Sequence, residues 1–160
     1  MNLKCEINDA EQYTRRNNIR IHGIREKHGE TNSELHKEIT NVMLKAYGMQ
    51  LKEDDIDVCH RVGAPNPSHP RQVIVRFLRW QTKDRLFVQK KHLKPQGLML
   101  FHDLTHANNR LLYDVKHHNR VQSAWVSYTG KILAKDAQGH TIHVDMKSDM
   151  DSLFNKFTNK

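Results

Sequence analysis

Residues 71 to 78, Arg-Gln-Val-Ile-Val-Arg-Phe-Leu, alternate polar and apolar side chains through a β-branched run. A period of two places Val73, Val75 and Phe77 on one face of a strand and Gln72, Ile74 and Arg76 on the other. Residues 18 to 24 repeat the device: Ile19 and Ile21 point one way, Arg20 and His22 the other, and Gly23 closes the run. Strands of this kind need a sheet with one face packed and the other open. The open face here is cationic.

The segments around these strands specify the rest of the sheet. Residues 30 to 48 read as a helix, with Thr31 and Glu34 spaced as a capping box, an apolar stripe of Leu35, Ile39, Val42, Met43 and Ala46, and Gly48 at the stop. A second strand is expected over 56–63, followed by the proline-broken loop Ala-Pro-Asn-Pro-Ser-His-Pro. A basic helix over 81–93, ended by Pro95 and Gly97, and a fourth strand over 98–101 complete the order β-α-β-β-α-β. That order predicts an α+β fold of ferredoxin-like arrangement, whose commonest small intracellular user is the RNA-recognition motif.

Beyond residue 102 the pattern changes. Thr105 is a plausible N-cap for a helix carrying Leu111, Leu112 and Val115. Three short alternating strands follow, joined at Thr-Gly and Asp-Ala-Gln-Gly, and a closing helix over 149–157 is capped by Asp149 or Asp151. Ahead of the first strand, Leu3, Ile7, Ala10 and Tyr13 have the spacing of the last two heptads of a coiled coil entering from upstream. The expected division is a helical segment 1–17, an RNA-recognition-motif-like domain 18–102 and a small α/β domain 103–160.

Charge narrows the function. The chain carries 26 Lys and Arg against 18 Asp and Glu, a formal charge of +8. The stretch from Val58 to His102 contributes all of it, with nine basic residues and only Asp84 opposed. Such concentration points to a polyanion, usually nucleic acid. The two cysteines, Cys5 and Cys59, form no CxxC, and no segment has the length of a signal peptide or membrane span, so a reduced, soluble, intracellular chain is expected. The histidines lack metal-ligand spacing, since His140 and His143 fall on opposite strand faces and His102 and His106 are separated by the helix cap. The one dense acidic cluster, residues 53–57, reads as a loop, and there is no Walker loop or nucleophile elbow. No catalytic residue, metal or cofactor is expected.

An RNA-recognition motif places stacking aromatics on its two central strands. Those slots hold Arg20, Gln72 and Ile74, which predicts an electrostatic, sequence-tolerant binder of single strands. Arg20 and Arg76 are expected side by side, repelling each other until an anion intervenes, so that removing both leaves stability unchanged or slightly raised. Trp125 and Tyr128 fall on opposite faces, with Tyr128 expected open and Trp125 in the core. The other reading is a protein-interaction module that uses the same open sheet face, with charge serving solubility alone.

The segments Glu-Gln-Tyr-Thr-Arg-Arg-Asn-Asn-Ile-Arg-Ile-His-Gly-Ile-Arg-Glu (11–26), His-Arg-Val-Gly (60–63), Pro-Arg-Gln-Val-Ile-Val-Arg-Phe (70–77) and Ala-Trp-Val-Ser-Tyr-Thr-Gly-Lys (124–131) together resemble the RNA-binding protein of the first open reading frame of LINE-type (non-LTR) retrotransposons, the transposase-22 family. The resemblance covers residues 11–155. It implies an atypical RNA-recognition motif, a C-terminal domain and a trimerising coiled coil. It also implies a nucleic-acid chaperone that binds single-stranded RNA in cytoplasmic ribonucleoprotein particles, with single-stranded DNA and a nuclear location left open. A homotrimer is implied only with an upstream coiled coil, and a monomer otherwise. The RNA contacts implied or read from the open face are Arg15, Arg16, Arg20, His22, Arg61, Arg71, Arg76, Lys83, Arg110, Tyr128 and Lys131. Met99 stands where relatives carry an arginine.

Overall fold

A computed structural model describes residues 2–155. The chain opens with helix α1 (Leu3–Thr14), strand β1 (Asn18–His22) and helix α2 (Asn32–Tyr47). The capping box forms as the sequence predicts: Thr31 accepts from the Glu34 amide and the Glu34 side chain returns to the Thr31 amide, while Gly48 ends α2 in the left-handed region at φ 62°. A single 3-10 turn leads into β2 (Ile56–Arg61), then β3 (Val73–Phe77), α3 (Trp80–Val88) and β4 (Met99–His102). The basic helix expected to run to residue 93 stops at Val88 and continues as a 3-10 segment, Lys90–Gln96. Pro95 cannot extend an α-helix, and the tighter winding still buries Leu93 completely. Helix α4 (His106–Lys116), strands β5 (Ser123–Val126), β6 (Ile132–Lys135) and β7 (Thr141–Val144), and helix α5 (Met150–Asn155) follow. Lys156 and Phe157, expected at the end of α5, lie outside the described residues.

The chain divides into two compact units, residues 16–103 and residues 1–15 with 104–160. The first holds a four-stranded antiparallel sheet in the order β2-β3-β1-β4. Ile19 lies opposite Val75 on one side and His102 on the other, and Ile21 opposite Val73 and Leu100. Ile19, Ile21, Val73, Val75 and Phe77 are fully buried against Leu35, Ile39 and Met43 of α2 and Leu86 and Phe87 of α3. Both helices therefore cover the same face of the sheet.

The second unit holds the three-stranded antiparallel sheet β5-β6-β7. Val115 from α4 packs with Ile132, Ala134 and Val144, and Leu111, Leu112, Ile142, Met150 and Leu153 line the margin. Thr105 caps α4 by accepting from the Asn108 amide. Asp149 accepts from the Ser152 amide at the start of α5. The α1 stripe of Leu3, Ile7, Ala10 and Tyr13 is exposed, and the buried positions of that helix are Cys5 and Asn8. Asn8 donates to Asn108 Oδ1 at 3.0 Å and accepts from Thr105 Oγ1 at 2.6 Å, while Gln12 Oε1 accepts from the Thr105 amide and from Asn108. Polar side-chain exchange, not an apolar seam, joins α1 to the cap of α4.

Gly23, which ends β1, adopts φ 92°, and a Cβ built on it would lie 2.3 Å from the carbonyl oxygen of Gly97. Both the backbone conformation and the close approach of another backbone require glycine there. Gly23→Ala is expected to cost at least about 1–3 kcal/mol from the φ angle alone, read as a lowered urea midpoint. An unchanged midpoint would remove this constraint.

Candidate nucleic-acid interface

The face of the four-stranded sheet opposite the helices is built by alternation. It presents Asn18, Arg20 and His22 from β1, Ile74 and Arg76 from β3, and Met99 and Phe101 from β4. A bulge between Ile56 and Val58 resets β2, so Val58 and His60 face out and Cys59 faces in. Arg20 lies between Ile74 and Phe101 across the strands. Phe101, Met99 and Val58 are 44%, 47% and 49% exposed. His22 meets the Phe101 ring edge-on, with centroids 4.8 Å apart. Partial burial lowers the His22 pKa, the Arg20 charge adds to this, and the Gln72 hydrogen bond opposes it. The face is thus apolar and aromatic with cations between.

Arg20 does not stand against Arg76 as expected. The register pairs Arg76 with Asn18, so the two arginines are diagonal, and each has its own carboxylate. Arg20 Nε donates to Asp103 Oδ1 at 2.7 Å and Nη1 to Gln72 at 3.2 Å. Asp103 is only 3% exposed and also accepts from Asn18 at 2.9 Å. Removing Arg20 would take the paired guanidinium from that buried carboxylate, so stability should fall where the sequence alone predicted no loss. Arg76 keeps a looser pair with Asp57 at 3.4 Å, both partners exposed, which contributes little.

Arg61 and Arg71 serve the fold. Arg61 spends all five donors: Nε and Nη2 on Glu30, Nη1 on the carbonyls of Ile24 and Arg71, and Nη2 also on that of Arg25. Its side chain and that of Glu30 are 5% and 6% exposed, leaving no donor for a phosphate. Arg71 forks onto Glu26 at 2.8 and 2.5 Å and reaches the Gly63 carbonyl at 3.1 Å. Its hydrogen bonds hold the Glu26 pKa below the ordinary carboxylate range. These bridges clamp the β1–α2 loop to the β2–β3 loop, and the two loops enclose an open cleft of about 930 Å³.

The remaining candidates fall in two places. At the end of the first unit where β1 begins, Lys83 Nζ donates to the Arg16 carbonyl at 2.6 Å and lies 5.5 Å from the Phe87 ring centre. Burial depresses its pKa to about 8, against the pull of Asp84 and Asp103. Arg15, Arg110, Tyr128 and Lys131 belong to the other unit. Arg15 binds Glu11 at 2.6 Å and the Leu104 carbonyl at 3.3 Å. Arg110 pairs with Asp114 one turn on. Tyr128 is 61% exposed in the β5–β6 turn and Lys131 is exposed beside it. Trp125, expected in the core, is 37% exposed.

Phe101, Met99, Val58 and His60 were missed as face residues. Alternation through Leu98-Met99-Leu100-Phe101 carried the signal for two of them. The bulge that turns out Val58 and His60 has no such signature. The sequence matches no protein-family model and no curated protein. Among the described residues, no helix is long and apolar enough to cross a membrane, and no group of three metal-ligating side chains converges.

Arg61→Met should destabilise the protein by about 3–5 kcal/mol, because it strands the Glu30 carboxylate and three carbonyls. Glu30→Gln added to it should restore part of that loss in a denaturation curve. No gain from the second change would show that the ion pair is not what Arg61 contributes.

Proposed function

We propose that this chain binds single-stranded nucleic acid, RNA first, as a ferredoxin-like RNA-recognition-motif protein of the kind encoded by the first open reading frame of LINE-type retrotransposons. The observation that carries the reading is the exposed Phe101 ring set beside Arg20 and His22 on the sheet face opposite the helices. An exposed ring offers every base a stacking surface, and the flanking cations attract the backbone between bases. The excess of positive charge from Val58 to His102 supports the same reading.

Binding on this surface is sequence-tolerant. One phenylalanine stacks any base, and two of the arginines that could read hydrogen-bond edges, Arg61 and Arg71, are engaged internally. Phosphate contact on this face falls to Arg76 and to the Nη donors that Arg20 keeps beyond Asp103 and Gln72, with Lys83 and the exposed cations of the 3-10 segment serving a strand that continues past the end of the sheet to the helix side. Chaperone activity on nucleic acid follows from weak, mobile contacts of this kind.

With four to six phosphates neutralised, log K should fall against log salt with a slope of roughly −3 to −4. Phe101→Ala should weaken binding to oligouridine about tenfold at constant slope, since stacking is worth about 1–3 kcal/mol per base. A slope near zero would favour protein docking on the same face instead.

Lys83 supplies a pH test. Its ammonium, held near pKa 8 by burial, is lost as pH rises through that value, whereas an ordinary exposed lysine stays charged to above 10. Affinity should therefore drop about tenfold between pH 7 and pH 9, the loss of one charge-assisted hydrogen bond. Lys83→Arg keeps its charge throughout and should flatten the profile. A wild-type affinity constant across this range would remove Lys83 from the interface.

A further inference from the structure

Strand β2 forms one edge of the four-stranded sheet, and its pairing with β3 settles where its main chain points. The Val62 amide donates to the Gln72 carbonyl at 2.9 Å, continuing the register that sets His60 against Ile74 and Val58 against Arg76. Antiparallel partners exchange main-chain hydrogen bonds at every second residue. Val62, His60 and Val58 therefore spend their amides and carbonyls on β3, and Cys59 and Arg61 aim theirs off the sheet. The Arg61 side chain is 5% exposed although the residue as a whole is half-buried, so what it exposes is main chain. Native proteins blunt such edges. Here the bulge between Ile56 and Val58 and the prolines at 65, 67 and 70 shorten the open stretch without covering it.

A groove of about 760 Å³ runs between this edge and α2. Its helix wall is the stripe Ser33, His36, Lys37 and Thr40, and its strand wall includes Val58 and Cys59. The Cys59 thiol donates to the Asn32 carbonyl at 3.9 Å, which holds the start of α2 beside the strand. A helix next to an open strand edge is an arrangement in which an extended peptide adds a strand. Alternating pairs of amide and carbonyl match another polypeptide, whereas a nucleic-acid backbone has acceptors alone to offer them. Glu53 and Asp57 line the same groove and repel phosphate. The helix stripe holds His36 and the exposed Lys37 and no carboxylate, so a side chain turned toward it is best met as an acid. On the opposite side of the strand, Val58 is 49% exposed and suits an apolar neighbour. A second copy of the chain would bring two such basic stripes to one groove, which like charge opposes.

We infer that the edge of β2 beside α2 is a docking site for an extended peptide with an acidic residue between apolar ones, which adds as a fifth strand antiparallel to β2. The peptide residue opposite Cys59 donates its amide to the Cys59 carbonyl and accepts from the Cys59 amide. Its carboxylate turns toward His36 and Lys37. The residues before and after it turn the other way, and one of them packs on Val58. The site is distinct from the cationic sheet face and does not depend on the nucleic-acid reading.

The probe is a capped, fluorescein-labelled peptide, Gly-Thr-Val-Glu-Val-Thr-Gly, titrated with the full chain and followed by anisotropy. Saturable binding with Kd below about 1 mM is expected. Methylating the amide nitrogen of its Glu, which faces β2, should weaken binding at least about tenfold, whereas methylating the nitrogen of the following Val should change it less than about twofold. Lys37→Glu, at an exposed position, should weaken binding about fivefold, and a peptide with Lys in place of Glu should recover it. In hydrogen exchange followed by NMR, the peptide should protect the amides of Cys59 and Arg61, while those of Val58 and His60 change little because β3 already holds them. No anisotropy change, or equal loss from the two methylations, overturns strand addition and leaves the proposed function standing. Protection of the Cys59 and Arg61 amides that grows with protein concentration alone assigns the edge to a second copy of the chain and overturns the peptide site. Oligouridine that protects the same two amides assigns the edge to nucleic acid and overturns it as well.

Discussion

The register of β1 between β3 and β4 decides what the larger unit presents to solvent. Ile19 and Ile21 must meet Val75, Val73 and Leu100 on the helix side, and the same pairing places Arg20 between Ile74 and Phe101 on the other. Because side chains alternate with a period of two, a slip of one residue would bury Arg20 and His22 and expose both isoleucines. The cost of burying a guanidinium in place of an isoleucine is several kcal/mol, so the core holds the open face in register. The packed face and the open face are therefore set by one pairing.

Carboxylates then decide which cations face solvent with their charge unspent. Glu30, Glu26 and Asp103 each take an arginine from the surface read as basic and turn it inward or sideways. Arg61 is the extreme case, since its five hydrogen bonds join three chain segments through one side chain. Buried pairs of this kind add little net stability over an apolar alternative, but each partner is costly to remove alone. Their effect is to hold two loops in one arrangement and to leave the field at the sheet face to fewer, more exposed cations. Formal charge thus overstates the number of cations this chain presents unpaired to solvent.

Both units also share a design that charge counting cannot reveal. Each has an antiparallel sheet with one face packed on helices and the other bearing an exposed aromatic beside basic groups, Phe101 with Arg20 and Trp125 row by row with Lys135. The aromatic ring is left outside because the inward positions are already filled by aliphatic side chains of matching size.

Much of the fold was legible from near neighbours in the chain. The Thr31–Glu34 capping box, the Gly48 stop, the Thr105 cap and the in-out alternation of β1 and β3 depend on residues within four positions of one another, and each formed as read. What the tertiary structure alone decided depends on residues far apart. Arg61 finds Glu30 across 31 positions and Arg20 finds Asp103 across 83. The β2 bulge that turns Val58 outward exists only against β3. A lysine and an arginine look alike in a list of basic residues. Which of them keeps its charge for a ligand is settled by the carboxylates that folding brings within hydrogen-bond reach, and no local pattern encodes that reach.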